Sequence, residues 1–281
     1  MISIDALRWC HDQGICVSLL NRDGLSMGVL TPQTRATIEL RRCQYQLGSM
    51  GRATIARWFI KQKLQGQAST LRRHSYLPRA EQAIEHIRQS LASIDQPELP
   101  PWAHDIVGLI GFEGRLAEVY FQAWIDQPLK WVKADAKRVP PHWQQIRERG
   151  SPISQSPRYA VDPCNAILNY SYGVLSNQVR RSLAALGFDS SCGILHSDKE
   201  RQDALVYDLI ELYRPEVDNL VLTFLRHTRF TYGDFVSTKE GQCRLHPALA
   251  KAVVSSCRIE QEKIDEGASR LRRLLQHGEM V

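Results

Sequence analysis

The spacing of apolar and polar residues divides the chain into a short extended region and a long helical one. Residues 3–13 carry apolar positions at helical spacing, and two apolar runs, 14–20 and 25–30, flank the sequence Asn-Arg-Asp-Gly. An Asp-Gly pair between two such runs is typical of a β-hairpin. Because two strands and one helix are marginal as an independent domain, we expect the hairpin either to complete a sheet supplied by another segment or to lie against the following helices.

Helical periodicity dominates the chain after the hairpin. The pattern predicts amphipathic helices over residues 35–47, 52–64, 79–93, 106–124, 217–224 and 247–277. Residues 162–215 predict a helix, a turn at Gly187, a short loop with His196 and a second helix. We therefore predict an α+β, mainly α fold, with a small β-rich N-terminal domain over residues 1–32 and a large helical domain over residues 33–281.

One acidic residue lies within an apolar helical stripe. Glu113 is in the middle of a stripe formed by Ile106, Leu109, Ile110, Leu116, Ala117, Tyr120 and Trp124. Because an isolated buried charge is very costly, this carboxylate must be paired with a base, protonated or bound to a cation. A buried Glu–Arg pair is the plainest of these alternatives. Gly111 and Gly114 flank the acid and would let a ligand or another backbone approach closely.

Two further acids belong to the second predicted helix of the 162–215 stretch. Asp208 and Glu211 are three residues apart and share a helix face, while His196 precedes the helix. A Ser-x-x-Glu sequence directly after His196 matches a capping box, which predicts the start of the helix. Carboxylates together with an imidazole suit Mn²⁺ or Mg²⁺. The alternative is that both acids form a solvated face and His196 is an ordinary loop residue.

The composition is that of a globular protein with a mild positive charge. The chain has 281 residues, 43% apolar and 23% charged, which is enough to bury a core in one large or two modest domains. Its formal net charge of +6 favours a polyanionic partner. Seven cysteines without a CxxC pair argue against a disulfide framework or a zinc finger. With no signal peptide and no run long enough to cross a bilayer, we expect a cytoplasmic protein without membrane contact.

Residues 127–163 differ in composition from the helices around them. They contain six prolines, and residues 128–158 carry seven basic side chains against two acidic ones, interleaved with Trp131, His142 and Trp143. Such a segment is typical of a mobile strap over a nucleic-acid strand, where cations meet phosphates and rings stack on bases. The alternative is a long exposed connection.

Three motifs occur in a fixed order along the helical region. They are GFEGRLAEVY at residues 111–120, DPCNAILNYSY at 162–172, and GILH at 193–196 followed by DLIELYRP at 208–215. Together they resemble the CRISPR-associated protein one family, the metal-dependent endonuclease and integrase of spacer acquisition. Weaker similarity covers nearly the whole chain. The resemblance implies a small β-rich N-terminal domain and a larger helical catalytic domain.

The resemblance also implies a metal site built from a Glu, a His and a second acid. On this chain the site falls on Glu113, His196 and Glu211, with Asp208 as a catalytic neighbour one turn earlier and Mn²⁺ or Mg²⁺ as the cofactor. A cation there would also account for Glu113 within its apolar stripe. In the implied reaction, water or the 3′-hydroxyl of a captured DNA fragment attacks a phosphodiester, so that short fragments enter a CRISPR array as new spacers.

Double-stranded DNA is the implied substrate. We expect phosphate contacts from basic residues of the helices and of the 127–163 segment: Arg41, Arg42, Lys63, Arg72, Arg73, Lys133, Lys137, Arg138, Arg147 and Arg149. Asn165 and Asn169 match a family segment and are expected to order the helices near the site. The resemblance further implies a homodimer and the small CRISPR-associated protein two as assembly partner.

The N-terminal region departs from the family pattern. The β-domain of the family has several strands before the part that residues 3–30 resemble, whereas this chain starts almost at the helix. We expect a shortened β-domain that is natural, a start-site artefact or the downstream part of a longer protein. An upstream or separate chain would then complete the N-terminal sheet.

Two other functions stay open at this point. A helical metal-dependent phosphohydrolase is suggested by the HD dipeptides at residues 11–12 and 104–105, but it would need further His and Asp ligands on neighbouring helices. A DNA-binding scaffold whose catalytic site has lapsed is favoured by the shortened N-terminus. The three metal-site residues retained in the sequence argue against it.

Overall fold

The computed structural model of the protein describes residues 2–20, 26–30, 38–96, 98–149, 159–196 and 203–277. These residues form the helices α1 (Ile4–Asp12), α2 (Ile38–Tyr45), α3 (Ser49–Arg73), α4 (Ala80–Ile94), α5 (Ile106–Gln122), α6 (Pro163–Ala185), α7 (Ala204–Ile210), α8 (Arg214–His227), α9 (Pro247–Cys257) and α10 (Gln261–His277). They also form the strands β1 (Val17–Leu20), β2 (Ser26–Leu30), β3 (Phe235–Ser237) and β4 (Cys243–Leu245). The predicted α+β, mainly α fold is confirmed. None of the described helices combines the length and apolarity needed to cross a membrane.

The N-terminal hairpin is present as predicted. Strands β1 and β2 pair antiparallel, with Val17 opposite Leu30. The Asp-Gly turn expected at residues 23–24 lies outside the described residues. Strand β2 lies against α6, which agrees with the second of the two expected placements. The division of the chain at residue 32 into two domains stays a prediction.

Helix α3 is the central element of the helical region. It packs against α4, α5 and α8, while α6 packs against α7, α8 and α10. Phe59, Leu64 and Leu71 of α3 are fully buried. This arrangement brings α3, α5 and the junction of α7 with α8 to one place, where the candidate site lies.

Two predicted helices are interrupted in the structure. The helix expected to continue through residue 215 ends at Ile210, and α8 starts afresh at Arg214. Pro215 explains the break, because proline has no N–H to donate to the carbonyl four residues earlier. The single helix predicted over residues 247–277 is divided between α9 and α10. There Ile259 is buried, and its carbonyl accepts a hydrogen bond from Gln178 at 2.8 Å.

The expectation of a mobile strap is wrong for residues 127–149. Trp143 is 2% exposed, and its indole N–H donates to the Val161 carbonyl at 2.9 Å. Lys130 Nζ donates to the carbonyl of Arg226 at 2.7 Å, which ties the segment to the end of α8. The aromatic residues predicted to stack on bases here pack on one another instead, with the rings of Trp131 and Trp143 6.5 Å apart. We call residues 127–149 the packed arm.

Candidate active site

Acidic and basic side chains from two helices and one helix junction form an ion-pair cluster. Lys63 Nζ of α3 donates to Glu113 Oε1 of α5 and lies 2.5 Å from Oε2 of Glu211, the residue that follows α7. Glu211 Oε1 lies 2.6 Å from Arg214 Nη1 at the start of α8. The side chains of Lys63 and Glu211 are 7% and 8% exposed and that of Glu113 is 24% exposed. The cluster therefore opens to solvent on the Glu113 side.

The sequence of α5 explains the position of Glu113. Asp105 caps the helix by accepting a hydrogen bond from the Gly108 amide at 3.2 Å. The buried face of the helix is formed by Leu109, Phe112, Leu116 and Tyr120. Glu113 lies at the border of this face, whereas Ile110, predicted to belong to the apolar stripe, is 45% exposed. Of the three alternatives for Glu113, pairing with a base, protonation or a bound cation, the structure shows pairing with a base. The base is Lys63 and not the arginine of the expected Glu–Arg pair.

Asp208 organises the loop that carries His196. Its carboxylate is fully buried and accepts hydrogen bonds from the amides of Ile194 at 2.5 Å, Leu195 at 3.1 Å and His196 at 3.0 Å. The imidazole Nδ1 of His196 lies 2.6 Å from the same carboxylate. Because an ionised carboxylate only accepts, the His196 proton is held on Nδ1 and Nε2 is left as the free lone pair. The interpretation of Asp208 and Glu211 as a solvated face is wrong.

Gly193 permits the tight fold of this loop. A Cβ atom at this position would lie 2.3 Å from the carbonyl oxygen of His196 and 2.7 Å from the Cβ of Ala204. Only a residue without a side chain fits between these atoms. The glycine of the GILH motif is therefore required for the position of its histidine.

Mutual neutralisation controls the ionisation of the cluster. Burial alone would raise the pKa of Glu211, but Arg214 and Lys63 outweigh burial and hold this pKa below its usual value. Burial likewise lowers the pKa of Lys63, and the two carboxylates reverse that effect and raise it. The hydrogen bond to Asp208 raises the pKa of His196 against the opposing effect of burial. Glu211 is therefore ionised and Lys63 is charged at neutral pH.

The donor chemistry of the cluster suits a hard divalent cation. Two carboxylates from separate parts of the fold converge on one positive charge, and carboxylate oxygens with an imidazole nitrogen are ligands that Mn²⁺ and Mg²⁺ accept. In the structure that charge is the ammonium of Lys63. Within the described ranges, no three His, Cys, Asp or Glu side chains are close enough together to hold a metal ion. The acids fit a metal, provided that Lys63 withdraws.

Comparisons with known proteins support the family that the sequence motifs indicate. The family model described as CRISPR associated protein Cas1 matches residues 1–258. The chain belongs to the Cas1 family. The Cas1 endonuclease 1 of Methanospirillum hungatei is 30% identical over 246 residues, which are 87% of this chain and 68% of that protein. Its counterpart from Pyrobaculum aerophilum is 31% identical over 193 residues, 68% of this chain and 56% of that protein. The chain thus spans about two thirds or less of the length of these curated relatives.

Solved structures show the same fold at low identity. A Cas1 protein from Thermotoga maritima aligns with a TM-score of 0.72 at 19% identity, covering 99% of this chain and 84% of that one. A casposase bound to an integration product aligns with a TM-score of 0.69 at 21% identity, covering 100% and 81%. A partial Cas6-RT-Cas1–Cas2 complex gives a TM-score of 0.71 at 19% identity, covering 99% and 82%.

Eight of the ten basic residues expected to contact DNA are exposed on this Cas1 fold: Arg41, Arg42, Arg72, Arg73, Lys133, Lys137, Arg138 and Arg147. Lys63 is buried in the ion-pair cluster. Arg149 is half-buried, and its guanidinium donates to Oδ1 of Asn165 at 3.1 Å and of Asn169 at 3.3 Å. The structure thus gives Lys63 and Arg149 internal partners. The two asparagines thereby join the first turns of α6 to the packed arm. Their expected part in ordering the helices near the site stays a prediction.

The positions of two residues in the site were not predicted from the sequence. Lys63 follows Phe59 and Ile60 at helical spacing, and both are buried, so this spacing was the available signal that the lysine points inward. Arg214 stands three residues after Glu211, a spacing at which ion pairs form along helices. The predicted capping box, Ser197 with Glu200, lies outside the described residues.

The HD dipeptides have ordinary structural positions. His11 Nδ1 lies 3.4 Å from the carboxylate of its neighbour Asp12, on the exposed surface of α1. Asp105 is the N-cap of α5, and His104 precedes it at the surface. Among the residues that the structure describes, neither dipeptide belongs to a group of side chains that could hold a metal ion.

Proposed function

We propose that this Cas1-family protein is a metal-dependent DNA endonuclease and integrase that inserts short DNA fragments as new spacers into a CRISPR array. The observation that carries the proposal is the convergence of Glu113 and Glu211, the two acids that the resemblance assigns to the metal site, on one positive charge. Family membership, relatives named CRISPR-associated endonuclease and the fold shared with a casposase bound to an integration product support it.

Mn²⁺ or Mg²⁺ is the proposed cofactor, with Glu113, Glu211 and His196 as its ligands. Such an ion neutralises the charge that develops on a phosphodiester and orients the attacking oxygen. Asp208 keeps the proton of His196 on Nδ1, so that Nε2 can coordinate. Arg214 holds one oxygen of Glu211 and thereby fixes the orientation of that carboxylate. Asp208 and Arg214 are positioning residues in this account.

Double-stranded DNA is the proposed substrate. Water would attack in the nuclease reaction, and the 3′-hydroxyl of a DNA fragment in the integrase reaction. The exposed basic residues would neutralise backbone phosphates, which is the interaction that dominates affinity for DNA. The opening of the cluster on the Glu113 side gives a phosphodiester access to the acids.

Assembly with other chains is part of the proposal. We propose a small Cas2-type partner, supported by the fold shared with a chain of a Cas6-RT-Cas1–Cas2 complex. A homodimer is proposed from the family resemblance of the sequence alone. An upstream or separate chain that completes the N-terminal sheet stays a prediction from the sequence.

A comparison of two substrates tests the proposed activity. With Mn²⁺, we expect cleavage of branched DNA and no hydrolysis of nucleoside monophosphates. Glu113→Gln should abolish cleavage because it removes a ligand charge, while Glu118→Gln, an exposed acid of the same helix, should leave it unchanged. Hydrolysis of a nucleoside monophosphate without DNA cleavage would instead identify a phosphohydrolase.

A lapsed scaffold is the second candidate function. The observation in its favour is the lysine ammonium that fills the space between the two acids. Salt-sensitive DNA binding without cleavage under any divalent cation would support this candidate.

A further inference from the structure

Lys63 lies where the cation of the proposed metal site would lie. Its ammonium bridges Glu113 and Glu211, although the two acids come from different parts of the chain. The side chain is buried, as are those of Leu64 and Gln67 on the same helix. A lysine in this position is a counter-ion for the acids and not a surface contact.

The charges of the cluster are balanced without a metal. Glu113 and Glu211 supply two negative charges, and Lys63 and Arg214 supply two positive ones. A divalent cation added beside a stationary Lys63 would leave a large positive excess in a largely buried site, where charge repulsion is weakly screened. Metal binding therefore requires the Lys63 ammonium to leave the acids or requires new negative charge to enter.

A DNA phosphate would meet both requirements. The cluster opens on the Glu113 side, and α5 borders open space at Gly114, because a Cβ atom added there would meet nothing within 4 Å beyond its own stretch of helix. Lysine has a compact charge on a flexible four-carbon stem, so its ammonium can turn from a carboxylate to a phosphate while its backbone stays fixed. The phosphate adds negative charge at the same moment.

We propose that Lys63 is a resident counter-ion that is exchanged for the divalent cation when DNA enters, so that metal and DNA bind cooperatively. The inference rests on the proposed function, since it assumes that the acids hold a metal and that DNA is the substrate. Linkage makes the coupling reciprocal: DNA raises the affinity for the metal by the same factor by which the metal raises the affinity for DNA. Without DNA, the wild-type site should bind metal weakly.

Mn²⁺ binding measured by electron paramagnetic resonance tests the exchange without any activity readout. For Lys63→Met without DNA, we expect Mn²⁺ to bind about tenfold or more tighter than to the wild type, because the competing charge is gone. A short duplex should raise the affinity for Mn²⁺ about tenfold in the wild type and have little effect on it in the variant. Lys61→Met is the matched control, since Lys61 lies on the same helix and pairs with Asp95 at 2.6 Å on the surface.

The outcomes separate this inference from the proposed function. If Glu113→Gln abolishes Mn²⁺ binding but Lys63→Met binds Mn²⁺ no tighter than the wild type, the metal site stands and the exchange is refuted. If Mn²⁺ binds none of these proteins, with or without DNA, the proposed metal site fails and the exchange fails with it.

A methionine at position 63 leaves Glu113 without its basic partner and Glu211 with Arg214 alone, so a second variant is needed if Lys63→Met does not fold. Lys63→Gln, which keeps a hydrogen-bond donor, then replaces the methionine variant with the same expectation. The coupling of duplex and Mn²⁺ in the wild type provides an independent check. Equal Mn²⁺ affinity with and without the duplex would overturn the exchange whatever the variants do.

Discussion

Asp208 shows how one buried carboxylate can control a neighbouring side chain. It accepts three backbone hydrogen bonds and one from the imidazole of His196, all from the loop of the GILH motif. A fully buried charge would be very costly without these donors, so the acid and the loop stabilise each other. The spacing of Asp208 and Glu211 predicted a shared face. It could not predict that one acid would hold a loop and the other a lysine, because both partners come from elsewhere in the fold.

Asp218 is another buried acid, and it was not predicted from the sequence. Its carboxylate accepts hydrogen bonds from the hydroxyl of Tyr120 at 3.0 Å and from that of Tyr172. The two tyrosines belong to α5 and α6, so Asp218 ties these helices to α8. Burial raises the pKa of Asp218 to about 6, against the effect of the two hydrogen bonds.

The raised pKa predicts a pH-dependent contribution of Asp218 to stability. Between its unfolded pKa of roughly 3.9 and its folded pKa, the native state binds the proton more tightly, so stability falls as pH rises through this window. The free energy of unfolding of the wild type minus that of Asp218→Asn should decrease by about 2 kcal/mol between pH 4 and pH 7. Urea denaturation at intervals of half a pH unit measures this difference. A constant difference, or one that grows with pH, would contradict the assigned shift.

At the scale of elements, the packed arm departs furthest from expectation. Its prolines and basic residues are typical of an exposed connection, and most of its basic side chains do lie at the surface. Trp131 and Trp143 decide its structure, because their rings pack on Phe230 and Phe235 of a distant segment. Local composition could not reveal that contact, since the two segments are far apart in sequence.

Truncation of Trp143 tests whether the arm belongs to the core. Because the indole is buried and hydrogen-bonded, Trp143→Ala should lower the free energy of unfolding by about 3–5 kcal/mol. Val132→Ala, at an exposed position of the same arm, should change it by about 0.5 kcal/mol or less. Chemical denaturation compares the two variants. Equal stability of Trp143→Ala and the wild type would favour the mobile strap.

Periodicity located most helices and failed where a tertiary contact or a proline ended one. The hairpin, α4 and α5 follow from local pattern, and so does the turn at Gly187, whose φ is +80°. The division of α9 from α10 depends on the buried Ile259 and its bond to Gln178, which no local pattern contains.

At the scale of the whole molecule, surface charge governs the proposed encounter with DNA. Besides Lys130, which is bonded to the Arg226 carbonyl, the arm presents four exposed basic residues: Lys133, Lys137, Arg138 and Arg147. Changing all four to Gln should reduce the slope of log affinity against log salt by about 3.6, if each contacts a phosphate. Fluorescence anisotropy with a duplex at several salt concentrations measures the slope.

A charge-matched control separates local contact from net charge. The quadruple change of Arg8, Lys239, Arg244 and Lys251 to Gln removes the same charge from other exposed positions. It should leave the slope nearly unchanged. Equal flattening by both sets would show that the arm has no special part in DNA binding.

The central claim is that Glu113 is a ligand of a metal ion at which one DNA is joined to another. Integration of a short duplex with free 3′ ends into a supercoiled plasmid containing a CRISPR repeat, with Mn²⁺ and the small partner, tests it most directly. We expect joined products with the wild type and with Glu118→Ala, and none with Glu113→Ala. Tight DNA binding by a wild type that joins nothing, with or without the partner, would contradict the claim, and so would undiminished joining by Glu113→Ala.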